Sequence, residues 1–406
     1  MSLFCLRKIR PSLLTMTVLS ISLLVINSAH SGEWSGYIAA EYRTFPHGAA
    51  DSRQYDDNFS FAIEPEYHHK INGSYESITF VPFIRVDQHD NERTHFDVRE
   101  LMWQKSSQDW ELRAGIGKVF WGVTESQHLV DVINQTDLVE SPDGEDKLGQ
   151  PMINLALVRD WGTIDFFLLP GFRERTFSET EGRLRTTPRV DTDQAIYESS
   201  HGKRHVDAAI RWSHNVGIMD IGLSHFYGTS RDPRLVVGTD SGGSTVLVPY
   251  YDLIHQTGLD MQVTSGGWLW KLETIHRSGQ GETFNAATAG FEYTFYSLGD
   301  SSKDLGVLFE YSYDDRRQNS PALFQDDVMA GMRLTFNDVN DTEALFGVIY
   351  DRHYGSKGLN LEASRRFGDS IKVSVEARTY HETPASDPLN QFRNDDYFQA
   401  ELAWHY

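Results

Sequence analysis

Residues 398–406 read Phe398-Gln399-Ala400-Glu401-Leu402-Ala403-Trp404-His405-Tyr406, so every second side chain counted back from the end is apolar. An oily set alternating with a polar one at period two belongs to a strand wetted on a single face. The rest of the chain repeats that alternation in segments of about ten residues separated by turn residues, the weak per-segment pattern of strands that cross a membrane.

Eighteen such segments are predicted, at about 34–45, 57–70, 75–87, 94–105, 110–120, 152–160, 162–173, 205–213, 218–228, 253–264, 268–277, 285–296, 305–314, 327–337, 342–352, 358–367, 371–381 and 397–406. The connections between them alternate in length. Short ones, such as Ser265-Gly266-Gly267 and Gly368-Asp369-Ser370, follow even-numbered segments, and longer ones, such as 121–151, 174–204, 229–252 and 382–396, follow odd-numbered ones. One face of most segments is apolar throughout, for example Ile78, Phe80, Pro82, Ile84 and Val86, or Ala287, Ala289, Phe291, Tyr293 and Phe295. Large aromatics gather at segment ends: Trp103, Trp110, Trp161, Trp212, Trp268 and Trp404 at one, Phe45, Trp121, Tyr227, Phe284, Tyr313 and Tyr380 at the other. Amphipathic rings favour the lipid headgroup layer, so this reads as two girdles.

An aromatic carboxy-terminal residue on such a strand resembles the sorting signal of bacterial outer-membrane β-barrels. The resemblance implies an all-β fold: a transmembrane antiparallel β-barrel of about 18 strands with short periplasmic turns and long extracellular loops. It also implies both termini in the periplasm, outer-membrane lipid and lipopolysaccharide as surroundings, and barrel-insertion machinery that reads the last strand. Lipid offers no hydrogen-bond partner, so the first strand must pair with the last. A soluble β-sandwich or propeller has short strands too, but no reason to end on an aromatic or to sort aromatics to strand ends.

The amino-terminal end agrees. Residues 1–31 carry a basic head (Arg7, Lys8, Arg10), an apolar stretch from Leu13 to Ile26 and a small-residue exit at Ala29-His30-Ser31, the organisation of a secretory signal peptide. The single cysteine, Cys5, would leave with it, so neither a disulfide nor a thiol mechanism is expected. Export without Arg7, Lys8 and Arg10 leaves 34 basic residues against 58 acidic ones, a formal charge of −24. Such acidity excludes a phosphate-backbone partner, hence no nucleic acid. No segment after residue 31 reaches the roughly 18 apolar residues of a spanning helix. Residues 32–406 are expected to form one barrel domain.

Two places resist simple alternation. In the fourth segment Phe96 and Val98 share a face while Leu101 and Trp103 fall on the other, which predicts a β-bulge near Arg99 and Glu100. The ninth and tenth segments have softer patterns, so sixteen strands stays open.

A barrel this wide encloses an aqueous lumen unless something fills it. Strand parity points Arg85, Glu111, Arg113, Arg211, Glu292, Glu310, Arg333 and Arg378 inward, either as a field across a pore or as ion pairs that cross-link the wall. The connection 121–151 holds Leu129, Val130, Val132, Ile133, Leu138 and Val139, which need shelter from water. It is expected to fold inward as a constriction, its apolar side on the wall and its acids, Asp131, Asp137 and Glu140 among them, toward the passage. Gly117-Lys118-Val119-Phe120-Trp121-Gly122, followed by Val132-Ile133-Asn134, is similar to the strand-to-loop junction of porin-like outer-membrane proteins. That resemblance implies passive or facilitated uptake of small polar solutes.

Arg173, Arg175, Arg183, Arg185 and Arg189 crowd the next connection; they could meet lipopolysaccharide phosphates, or be balanced by the loop's own acids. Asp326-Asp327 and Asp395-Asp396 are acidic pairs without ordered calcium-ligand spacing. No Gly-x-Ser-x-Gly elbow, His-Glu-x-x-His helix or phosphate loop occurs, so no cofactor, metal or catalytic group is expected. The alternatives to a channel are a barrel that sheaths or docks a partner or passes an apolar ligand, and an outer-membrane hydrolase. A homo-oligomer stays open, but every outward strand face is lipid-compatible, so none is singled out as its interface.

Overall fold

The computed structural model describes residues 32–71 and 73–406; the signal-peptide expectation, on residues 1–31, lies outside the described residues. The alternating segments form eighteen antiparallel strands of one sheet. In chain order these begin β1 (Gly32–Thr44), β2 (Asp57–Ile71), β3 (Glu76–Asp87), β4 (His95–Ser106), β5 (Trp110–Gly117), β6 (Gln150–Arg159) and β7 (Gly162–Pro170). They continue through β9 (Val206–Val216), β10 (Met219–Thr229), β13 (Leu253–Ser265), β14 (Trp268–Ser278), β15 (Phe284–Phe295) and β16 (Asp304–Asp314). The last five are β17 (Asp326–Thr335), β18 (Glu343–Asp351), β19 (Lys357–Phe367), β20 (Ile371–His381) and β21 (Tyr397–His405).

Each strand pairs with the next barrel strand along the chain, and β1 pairs with β21 from Tyr37↔His405 to Thr44↔Phe398. The ring is closed, so no row of amides and carbonyls is left as an edge. The count is eighteen and not sixteen, because β10 and β13, the softly patterned pair, are matched from Met219↔Val263 to Thr229↔Leu253.

Parity survives folding. Phe398, Leu402, Trp404 and Tyr406 face outward and exposed, while Tyr397 and Ala403, on the other parity, are buried inside. The phase changes once, in β4. Val81 pairs with Glu100 and Pro82 with Val98, so Arg99 has no partner on β3. This is the expected bulge, and it turns Asp97 and Arg99 inward without sending Glu100 into lipid: both are buried, and Glu100 lies opposite the inward Val81.

The second of the two aromatic girdles needs correction. Phe45, Trp121 and Phe284 are buried inside the barrel. Phe284 lies opposite the inward Arg277, and Trp121 packs edge-on against Phe167 with centroids 5.6 Å apart. A further element was not expected: β8 (Ile196–Tyr197), β11 (Arg234–Thr239) and β12 (Thr245–Tyr251) build a separate three-stranded sheet within the long loops.

Candidate functional site

The β5–β6 connection, residues 118–149, lies against the inner wall. Trp121, Val130, Val132 and Ile133 share one buried apolar cluster with wall residues that include Met152, Phe167, Phe226, Ile254, Ile275 and Ala286. Each buried aliphatic or aromatic side chain favours this docking by about 1.5–3 kcal/mol over exposure to lumen water. Part of the lumen thus holds a hydrophobic core.

Polar contacts fix the loop at three places. At its base, Asn134 accepts from the Val119 amide at 2.8 Å and donates to the carbonyls of Gly117 and Leu148 at 2.9 Å each, joining segments 117–122 and 132–134. At its tip, the buried Glu273 of β14 accepts from the amides of Val123 at 2.7 Å, Thr124 at 3.0 Å and Val130 at 3.2 Å. Gly122 lets the chain approach: its φ is +145°, and a Cβ there would stand 2.9 Å from both Glu273 Oε1 and His128 Nδ1. Beside it, Glu310 of β16 accepts from the amides of Glu125 and Ser126 at 2.8 Å each and from the Ser126 hydroxyl at 2.7 Å.

The third tether is a buried charge network on β1–β4. Arg85 donates through Nε to both Glu140 oxygens, at 3.0 and 2.8 Å, and through Nη1 to Ser60 at 2.7 Å. Arg93 binds Glu41 and Asp87 at 2.9 Å each and the Val139 carbonyl at 2.8 Å. Arg99, aimed inward by the bulge, stands 3.0 Å from Asp97 and 2.8 Å from Asp137. Burial opposes ionisation of Asp137, but the neighbouring His95 imidazole and the charge of Arg99 outweigh it and hold the carboxyl down at about 2. His95 Nδ1 donates to the Arg93 carbonyl at 3.1 Å, and Nε2 lies 3.6 Å from both Asp137 and Glu140. That trio has ligand-like spacing, yet an incoming cation would meet Arg85 and Arg99 already seated on both carboxylates.

The remaining sequence candidates divide. Arg333 reaches loop Glu125 at 2.8 Å and wall Glu292 at 3.8 Å, and Arg378 joins loop Asp143 at 2.8 Å to Glu362 and Glu376 at 3.4 and 2.5 Å. Arg211 pairs twice with Asp260, at 2.6 and 2.8 Å, beneath the Trp121 ring. Arg113 and Glu111 bind each other at 2.6 Å, apart from the loop, as a cross-link of the wall. Asp131 and Asp137 do not face the passage as expected. They are buried, Asp131 against Lys147 at 3.2 Å and Asp137 against Arg99, because their loop segments are the ones drawn onto the wall.

Between the loop and the wall of β17–β21 and β1–β4 lies a cavity of about 500 Å³. Ten carboxylates line it against five basic groups, and three of those five, Arg85, Arg99 and Arg333, are held in ion pairs. Glu64, Asp146 and Glu401 line it with no ion pair within 4 Å among the described residues. The arginines of the next loop are largely engaged as well: Arg183 binds Asp395 at 2.7 Å and Asp56 at 3.0 Å, Arg185 binds Asp51 at 3.0 Å, and Arg173 binds Asp97 at 2.7 Å.

Sequence reasoning missed Glu273, Glu41 and Arg93 as loop anchors. Strand parity could have placed Glu273 beside Lys271 and Arg277 on the inner face. For Arg93, at the end of the short β3–β4 connection, no local signal exists, since its partners come from β1, from β3 and from loop position 139.

No family model matches the sequence, and no curated protein matches it. Solved structures do resemble the fold. OpdO of Pseudomonas aeruginosa is 9% identical, with 93% of this chain and 96% of that one covered and a TM-score of 0.53. Wzi of Escherichia coli, an outer membrane protein involved in group 1 capsule assembly and a carbohydrate-binding β-barrel, is 8% identical, with 91% and 84% covered and a TM-score of 0.51. A mutant of the Rh. blastica porin is 12% identical, with 92% and 100% covered and a TM-score of 0.45. At such identities the first two likenesses are of fold alone: the chain has the fold of porin-like outer-membrane β-barrels.

Proposed function

We propose that this chain is an outer-membrane channel, both termini in the periplasm, through which small polar solutes diffuse past the docked β5–β6 loop. The observation that carries the reading is the polar cavity left beside that loop: the apolar side of the loop is packed on the wall, and the cavity is walled by charge. Carboxylates that outnumber basic groups two to one attract cations and repel anions. Size exclusion falls to the loop, selectivity to the acidic wall. Liposome swelling with neutral sugars, amino acids and organic acids tests the reading; swelling no faster than in protein-free vesicles for every solute overturns it.

A second reading is favoured by the hydrophobic core inside the lumen. A barrel so filled could serve as a binding or docking surface and conduct poorly. It would retain a bound polymer or partner through purification, where a channel would be recovered empty and conducting. Both readings are non-enzymatic.

A further inference from the structure

At the outer ends of β17 and β18, Asp327 and Asp351 lie directly opposite each other, both facing inward. Opposed residues have Cβ atoms about 4.5–5.5 Å apart. Both are buried, as is Asp387 of the 382–396 loop, and among the described residues none of the three has a cation within ion-pair distance. Buried charges are ordinarily paired or bound to a metal, because desolvating a lone carboxylate is strongly unfavourable.

The nearest polar neighbour leaves the same gap. Gln325 donates its backbone amide to Asp327 Oδ2 at 2.7 Å and its side-chain amide to Asp351 Oδ2 at 2.9 Å, so it straddles both carboxylates. Its carbonyl Oε1 is buried with no hydrogen-bond partner, and so is Asp327 Oδ1. These two orphaned oxygens belong to residues 1% and 3% exposed. While Asp327 is ionised, both orphaned oxygens can only accept, so neither can satisfy the other.

We propose that Asp327, Asp351 and the Gln325 side-chain carbonyl form a calcium site at the outer rim. The donors are all oxygen, two of them anionic, with neither imidazole nor thiolate among them, which is the ligand class of a hard cation. Calcium accepts irregular oxygen shells at about 2.3–2.6 Å, whereas magnesium demands a near-ideal octahedron. Asp387 adds negative charge, held on Leu389 N at 2.7 Å and on the Ser356 hydroxyl. The ion would staple together the entry to β17, the end of β18 and the last outer loop. The site is separate from the lumen cavity and does not depend on the transport reading.

The test is calorimetric titration of CaCl2 into the full-length barrel in detergent, stripped with EDTA and free of lipopolysaccharide, with thermal melting in parallel. Expected are one site per chain and a melting temperature that rises with calcium. Asp327→Asn and Asp351→Asn, each checked for folding by heat-modifiable migration, should weaken binding at least tenfold. Binding unchanged in both folded variants overturns the proposal. So does a wild-type barrel with no calcium heat that acid alone stabilises, since the carboxylates then share a proton.

Discussion

Glu273 takes from Thr124 both its backbone amide, at 3.0 Å, and its hydroxyl, at 2.7 Å, across 149 positions of sequence. A buried wall carboxylate thereby does for the loop tip what a helix cap does for orphaned amides, and bonds to a charged acceptor contribute about 1.5–3 kcal/mol each. Glu273→Ala should leave the amides of Val123, Thr124 and Val130 unpaired while the eighteen-strand ring persists. The expected outcome is several-fold faster proteolysis within residues 118–149 and noisier conductance, with heat-modifiable migration unchanged.

The same carboxylate faces His128, whose Nε2 also lies 2.8 Å from Glu145. Burial disfavours the imidazolium, but Glu145 and Glu273 outweigh it and raise the group from 6.5 to about 10. A raised folded value contributes stability that is complete below 6.5 and lost as pH climbs through about 10. Loop protection from protease should therefore hold at neutral pH and fall at about pH 11. In His128→Gln that fall should be absent.

Arg99 is the extra residue of the bulge, so deleting it would restore an unbroken β3–β4 ladder with Asp97 and Glu100 still inward. The deletion variant is expected to insert as a folded barrel yet lose its tether to Asp137. Truncating one partner of a buried pair costs about 3–5 kcal/mol. Hydrogen exchange should rise at residues 135–140 and stay level in the distant strands β13–β16.

Glu64 and Glu401 line the cavity without ion pairs, so neutralising them changes charge and leaves the loop anchors intact. The double variant Glu64→Gln/Glu401→Gln should shift the reversal potential toward zero under a salt gradient, with little change in conductance at high salt, where screening already hides these charges. An unaltered reversal potential would remove the acidic cavity from the selectivity account.

The barrel was legible because membrane strands repeat one simple constraint, and parity alone led from Tyr406 back to Trp34 and exposed the phase break at Arg99. Docking of the β5–β6 loop was legible from Val130, Val132 and Ile133, which had nowhere else to be buried. What escaped is non-local. The β11–β12 hairpin and its parallel partner Ile196–Tyr197 sit in long loops where short strands give no sustained period. Phe45, Trp121 and Phe284 were misplaced because aromatic type suggested a girdle while their backbone direction pointed inside. Pairs such as Arg93 with Glu41 join segments that only the assembled β1–β4 sheet brings together, which no single segment encodes.

Single-channel recording in a planar bilayer, comparing the wild type with a variant lacking residues 123–146, tests the transport account most directly. The account predicts small cation-preferring steps for the wild type and steps several-fold larger once the docked loop is removed. Absence of conductance from both folded proteins would contradict it.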